Sequence, residues 1–236
     1  MELNNNQHSN ELAPTQTQPQ VIYRAVGWVA GTYKPSESKF YQGVLVTEDG
    51  LTIPSELTRQ LRSRLKKEHT GYASEPDFFK ESFRWTVYPK TDPIEFHLAA
   101  MRPLTSVPAD APGLDSFRVV GLIKSCSDGV VTVRIQRNQE PPDDVRWKHN
   151  NEWKAIVLTL EGSLPTQALG QIWEMEVQRS GERLLVKAGR PYEPSAEDLA
   201  WLEKQSKLQR AILLSNIKSG CMTILICSQC ATMNHA

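Results

Sequence analysis

The stretch Val21-Ile-Tyr-Arg-Ala-Val-Gly-Trp-Val-Ala-Gly31 decides the fold, because a later stretch, Asp115-Ser-Phe-Arg-Val-Val-Gly-Leu-Ile-Lys124, repeats its pattern. Both are rich in β-branched and aromatic residues, and each carries a glycine in its middle, Gly27 or Gly121. Such a composition favours a long strand that bends at the glycine, as strands of small barrels do. The chain therefore contains two copies of one β-rich unit.

The first copy, residues 21–103, continues with two strands around the tight-turn signal Asp49-Gly50. A helix is predicted to begin at Ser55 and to pack through an apolar stripe of Leu57, Leu61 and Leu65. A hairpin over residues 84–101 ends the copy. The order of three strands, a helix and two strands is that of an OB-fold barrel.

The second copy, residues 115–191, shows the same order with a short connection, residues 161–170, in place of the helix. Its closing hairpin turns at Ser180-Gly181. The sequence thus predicts a mainly β protein with two tandem small OB-like β-barrels and a C-terminal α-helix. Each barrel is expected to close on itself as an independent five-stranded cylinder. An unspecified β-sandwich or an SH3-like barrel is the alternative for each copy.

Three further segments complete the predicted organisation. Residues 1–20 are polar and Asn/Gln-rich, which predicts a disordered tail. Residues 104–114 form a proline-rich linker of semi-extended character. Residues 192–236 comprise a helix, with Ser195 as its N-cap and acidic residues in its first turn, and a cysteine-containing tail.

Charge and hydropathy limit the classes of function. Lys+Arg and Asp+Glu are both 27, so net charge predicts no large attraction to nucleic acid or to an anionic membrane, although a local basic patch remains open. The sequence shows no signal peptide and no apolar run of bilayer length, and a cytoplasmic location with reduced thiols is expected.

Basic residues interleaved with aromatic ones suggest a nucleic-acid surface on the early strands of the second copy. OB-folds bind single strands through a groove that combines cations with stacking aromatics. The candidate contacts are Arg118, Arg134, Arg137, Trp147, Lys148 and Trp153. The alternative is that both tryptophans belong to the core or its rim and that the arginines are solvated.

A second basic patch lies on the predicted helix of the first copy. Its residues are Arg59, Arg62, Lys66 and Lys67. They could contact phosphates without reading sequence. The alternative is the solvated face of a helix that packs through its leucines.

Catalytic motifs are absent from the sequence, which predicts a non-enzymatic protein without a cofactor. A terminal set of Cys221, Cys227, Cys230 and His235 offers half of a zinc-knuckle spacing and lacks the second half, so no metal site is predicted. Incidental thiols in a loose tail are the simpler interpretation.

Several motifs resemble an uncharacterised family of cyanobacterial proteins with an OB-like β-barrel pattern. Residues 21–37 carry the resemblance together with five shorter motifs, which are Gly43-Val-Leu-Val-Thr-Glu-Asp-Gly50, Trp85-Thr-Val-Tyr-Pro89, Gly162-Ser-Leu-Pro165, Gly170-Gln-Ile-Trp173 and Val177-Gln-Arg179. The resemblance covers about residues 21–188, excludes the cysteine-containing end and implies no activity.

These observations lead to one functional hypothesis and one alternative. The hypothesis is binding of single-stranded nucleic acid, RNA or DNA, through an OB-like face. The alternative is a protein-protein interaction or assembly adaptor, which neutral net charge and an amphipathic C-terminal helix would suit.

Overall fold

A computed structural model describes residues 21–68, 80–138, 155–204 and 207. The compact unit formed by residues 22–193 contains all ten of the strands described. The predicted boundaries of the tail, the linker and the two copies stay a prediction.

The first barrel contains five strands and one helix. They are β1 (Arg24–Pro35), β2 (Gln42–Thr47), β3 (Thr52–Leu57), α1 (Arg59–Glu68), β4 (Phe83–Lys90) and β5 (Glu95–Pro103). The curved strand β1 pairs with β2 through its C-terminal half and with β4 through its middle. Parallel pairing of β3 with β5 completes the cylinder. The strand order is therefore that of an OB-fold.

The second barrel repeats this closure. Its strands are β6 (Ser116–Ser127), β7 (Val130–Ile135), β8 (Ile156–Glu161), β9 (Ile172–Ser180) and β10 (Arg183–Pro191). The strand β6 pairs with β7 and β9, and β8 meets β10 in parallel at the single register pair Leu185 and Glu161. A short 3-10 helix, Thr166–Ala168, occupies the connection where the first barrel has α1. The prediction of two OB-like barrels is confirmed.

The barrels are also joined by a strand pairing that the sequence did not indicate. Residues 24–28 of β1 lie antiparallel to residues 116–120 of β6, so one ten-stranded sheet runs through both barrels. Each barrel closes on itself as predicted, but they are not independent cylinders. A pairing between two distant segments leaves no local sequence signal, which explains the error.

The aromatic side chain of Phe117 ties the two cores together at this pairing. Phe117 lies on β6 opposite Gly27 on β1, is buried, and packs against Phe96 of the first barrel with ring centroids 6.0 Å apart. A Cβ atom on residue 27 would come within 2.1 Å of the Phe117 ring. Gly27 is therefore required for a close approach rather than for the sharp bend that the sequence suggested.

The predicted start of the first helix is wrong. Ser55 and Leu57 lie in β3, and the helix begins at Arg59. Thr58 caps it: its side-chain oxygen accepts from the Leu61 N–H at 3.4 Å. Leu57 is still buried, because a strand residue that faces the barrel interior serves the core as a helix residue would. Leu61 and Leu65, the other two residues of the predicted apolar stripe, lie on the helix and are buried as predicted.

The C-terminal unit begins near residue 194, and its described part contains a second helix, α2, over residues 196–204. The Ser195 hydroxyl accepts from the Asp198 N–H at 3.1 Å, while the Asp198 carboxylate accepts from the Ser195 N–H at 3.1 Å. This reciprocal pair is a capping box with aspartate in the acidic position, and it confirms the predicted N-cap. Within the described ranges, no helix is long and apolar enough to cross a membrane.

Candidate nucleic-acid interface

The outer surface of the strands β6, β7 and β8 presents cations beside an exposed apolar side chain. Arg134 on β7 lies opposite Leu122 on β6 and Val157 on β8. Val157 is 53% exposed, and Arg134 and Lys124 are exposed as well. We name Lys124, Arg134 and Val157 the β7–β8 face. In an OB-fold the second and third strands form the usual binding surface, and β7 and β8 hold those positions here.

The cations of this face have no carboxylate paired with them in the described part of the chain. Within the part of the chain that the structure describes, neither Arg134 nor Lys124 forms a salt bridge. Alternation along β7 directs Val133 and Ile135 into the core and places Arg134 between them on the outside. A cation held on a rigid strand in this way can contact a phosphate at little cost in ordering.

The first barrel borders the β7–β8 face. The Thr159 N–H of β8 donates to the Thr91 hydroxyl oxygen at 2.8 Å, and the Thr159 hydroxyl donates to the Asp92 carboxylate. Thr91 and Asp92 belong to the turn between β4 and β5 of the first barrel. This turn therefore lies beside Thr159 of β8, at one border of the face.

Arg118, by contrast, is already engaged by a carboxylate. Its guanidinium donates to Glu174, which is 6% exposed and also accepts from Arg190 at 2.7 Å. Burial acts to raise the pKa of Glu174, but the hydrogen bonds from Arg190 and Arg118 outweigh it and the pKa is lowered. The carboxylate is thus held in its charged form and meets the charge of Arg118.

The remaining candidates of the second barrel belong to the long connection between β7 and β8. Arg137 is exposed just after β7. Its neighbour Asn138 binds the backbone of Tyr23 through both amide atoms, at 2.7 Å and 2.9 Å, which fixes the start of this connection against β1. Trp147, Lys148 and Trp153 lie outside the described residues.

The second predicted patch falls on α1. Arg59 is exposed, while the guanidinium of Arg62 lies over the Tyr41 ring, 4.3 Å from its centroid. That cation–π contact orients Arg62 toward its own barrel. Lys66 and Lys67 are helical, and the positions of their side chains lie outside what the structure describes.

A buried arginine between the barrels holds them in one arrangement. Arg179 of β9 donates to Asp115 at 2.7 Å and, through two nitrogens, to Asp49 at 3.0 Å and 3.2 Å. Asp49 belongs to the turn between β2 and β3 of the first barrel. Hydrogen bonds from Arg179 and then from Thr47 lower the pKa of Asp49 to about 2. This network fixes the turn of one barrel on the strand of the other.

Sequence reasoning missed a second cationic and aromatic site, on the first barrel. Trp28, Arg84 and Arg102 lie on β1, β4 and β5 and line a cleft with residues 107–112 of the predicted linker. The register places Arg84 opposite Arg102 and Thr86 opposite Trp28. The signal was available only in part, because the predicted hairpin over residues 84–101 stopped one residue before Arg102.

Metal binding finds no support in the described part of the chain. Among residues 21–68, 80–138, 155–204 and 207, no group of three His, Cys, Asp or Glu side chains could hold a metal ion. The set of Cys221, Cys227, Cys230 and His235 lies outside the described residues.

Two family models match the chain, one for each barrel. Residues 25–102 match a model described as the N-terminal OB-fold domain of the PatR RNA-binding protein. Residues 119–191 match a model described as a cyanobacterial OB-fold-like RNA-binding domain, C-terminal. No curated protein and no solved structure matches the chain.

Proposed function

The chain belongs to the cyanobacterial PatR family of RNA-binding proteins with two OB-fold domains, and we propose that it binds single-stranded RNA across the β7–β8 face of its second barrel. Nucleic-acid binding through the OB-fold domains follows from the family. The choice of single-stranded RNA, the contact residues and the cytoplasmic location expected from the sequence are parts of the proposal. The proposed function is that of a binding protein rather than an enzyme.

One observation carries the proposal: Arg134 stands exposed on the central strand of the face beside exposed Val157. The pair offers a phosphate contact next to an apolar surface for a base or ribose. A duplex hides its bases, whereas a single strand can place backbone and base on neighbouring side chains. The face therefore favours a single strand.

The long connection between β7 and β8 would extend this surface. We propose that Arg137, Trp147, Lys148 and Trp153 contribute further cations and stacking platforms from residues 136–155. Arg59, Arg62, Lys66 and Lys67 would add electrostatic attraction from α1. Arg118 is less suited to a phosphate contact, because Glu174 already meets its charge.

Fluorescence anisotropy with a labelled single-stranded RNA of about 12 nucleotides, matched by a duplex of the same sequence, tests the proposal. We expect the single strand to bind more tightly than the duplex. Arg134→Ala should weaken its binding about tenfold or more, the loss typical of a charge-assisted hydrogen bond.

Lys90→Ala is the matched control for Arg134→Ala. Lys90 is also an exposed strand cation, but it is paired with Glu95 at 3.3 Å. Its removal should leave RNA affinity unchanged. Equal losses in the two variants, or preference for the duplex, would contradict the proposal. Binding that requires a protein partner would favour the adaptor alternative.

A further inference from the structure

The cleft on the first barrel contains two arginines that face each other across neighbouring strands. Arg84 and Arg102 are directly opposite on β4 and β5. Like charges at such positions repel, and strands rarely place them there without a reason. Within the described residues, neither guanidinium forms a salt bridge.

Arg84 is buried although no carboxylate among the described residues pairs with its charge. It is only 7% exposed, and it donates one hydrogen bond to the carbonyl of Pro112. Its guanidinium lies 5.8 Å from the centroid of the Trp28 ring. Burial, and then the nearby charge of Arg102, lowers the pKa of Arg84. An anion between the two arginines would offset both the cost of burying the Arg84 charge and its repulsion from Arg102.

The shape of the cleft limits the size of that anion. It encloses about 330 Å³, at the lower end of the range of small-molecule sites. Residues 107–112 form one wall, where Asp110 is exposed and makes no ion pair with either arginine among the described residues. The opposite wall is the sheet that carries Trp28, Thr86 and Ala100.

We propose that this cleft, the Trp28 cleft, binds a single nucleotide through its phosphate. Arg84 and Arg102 hold the phosphate between them, as paired guanidiniums do. The base lies against the Trp28 indole and the Arg84 guanidinium that stacks beside it, since both have flat surfaces suited to a base. Thr86, on the same wall as Trp28, supplies a hydroxyl.

The nucleotide could be part of an RNA chain or a free mononucleotide, and the chemistry of recognition is the same. The site lies on β1, β4 and β5, whereas the β7–β8 face lies on the second barrel. It therefore stands whether or not that face binds RNA.

Isothermal titration calorimetry with the full chain tests the Trp28 cleft. The ligands are a nucleoside 5′-monophosphate, the matching nucleoside without phosphate, and a single-stranded oligonucleotide. The phosphate-bearing ligand should bind at least about tenfold more tightly than the nucleoside. Saturable binding of the mononucleotide identifies a free nucleotide as the ligand. If only the oligonucleotide binds, a loss of its affinity on adding Arg102→Ala to the Arg134→Ala variant identifies a unit of an RNA chain as the ligand. Absence of both, or equal affinity for the nucleoside, overturns the proposal.

Variants separate this site from the β7–β8 face. Arg102→Ala removes an exposed side chain and should weaken the phosphate-dependent binding about tenfold, while Arg84→Lys keeps the charge and loses the planar fork. Arg134→Ala should leave mononucleotide binding unchanged. For the oligonucleotide, the effect of Arg102→Ala is measured in the Arg134→Ala background. An unchanged affinity in Arg102→Ala overturns the site, whatever the β7–β8 face does.

Discussion

Two arginine clusters share the outer surface of the joined barrels and differ in what meets their charge. Arg118 and Arg190 converge on the buried carboxylate of Glu174. Arg84 and Arg102 face each other beside Trp28, and in the described part of the chain neither forms a salt bridge. We call these the paired cluster and the unpaired cluster. Both would look alike in a list of basic residues, and only their partners distinguish them.

The comparison teaches that an arginine is a candidate for ligand binding when no carboxylate of the folded protein forms an ion pair with it. Arg179 marks the opposite extreme, because its side chain is 3% exposed and is held by Asp49 and Asp115. Such an arginine stabilises the fold, and because its charge is already paired inside the protein, it is not available to bind a phosphate.

Arg179→Ala should produce the largest effect, a loss of about 3 kcal/mol in the free energy of unfolding. The substitution leaves Asp115 and Asp49 without their cation and opens the contact between the barrels. Urea denaturation measures it. Arg183→Ala, an exposed arginine paired with exposed Glu161 at 3.2 Å, is the matched control and should change stability by less than about 0.5 kcal/mol. A similar loss of stability in both variants would contradict the difference between the buried Arg179 and the exposed Arg183.

Glu174→Gln should convert the paired cluster into an unpaired one. The amide keeps the shape but not the charge, so stability should fall by about 1–2 kcal/mol, a value reduced by the exposure of Arg190. At the same time, RNA binding should become more dependent on salt, because two arginines are released. Glu182→Gln, at an exposed carboxylate in the turn between β9 and β10, is the control. If Glu174→Gln leaves both properties unchanged, the two clusters do not differ as described.

Acid should weaken the contact between Arg179 and Asp49. The pKa of Asp49 is lowered from 3.8 to about 2 in the folded protein, so its contribution is complete above about pH 4. That contribution is lost as the pH falls from about 4 toward 2, when the carboxylate becomes protonated. Because Asp49 is half exposed, the loss should be no more than about 1 kcal/mol. Comparison of the wild type with Asp49→Asn, by denaturation at several pH values, should show this slope in the wild type only.

Arg102→Ala should change stability least, by less than about 0.5 kcal/mol, although it removes a charge from the unpaired cluster. Its side chain is exposed and repels Arg84 rather than attracting it. Thermal denaturation measures the difference. A loss above about 1 kcal/mol would mean that Arg102 supports the fold, and the unpaired cluster would then resemble the paired one.

The sequence predicted each barrel well because its signals are local. The turn at Asp49-Gly50 and the N-cap at Ser195 depend on neighbouring residues, and each strand is marked by its own composition. The joining of the barrels was not predictable in this way. Gly27 fits against Phe117, a residue far along the chain, and nothing in the stretch around Gly27 specifies that partner. The start of α1 was misplaced for a related reason, since Leu57 serves a strand and a helix equally well.

For the candidate interface, the sequence could predict which basic and aromatic residues belong to it, but not which of them are available to a ligand. Arg134 was identified and is exposed on β7, whereas Arg118 met the same criterion and is paired with Glu174. Whether an arginine is paired with a carboxylate depends on which strands lie side by side, and a single sequence does not show that. The Trp28 cleft was missed because its three side chains come from three strands that meet only in the folded barrel.

The salt dependence of RNA affinity in Arg134→Ala and Arg118→Ala tests the central claim most directly. The logarithm of the affinity of the wild type for single-stranded RNA should fall linearly with the logarithm of salt concentration. The slope should decrease by about 0.7 in Arg134→Ala, one phosphate contact, and by much less in Arg118→Ala. Binding that does not depend on salt, or an equal decrease in the two variants, would contradict the claim that unpaired arginines carry the interaction.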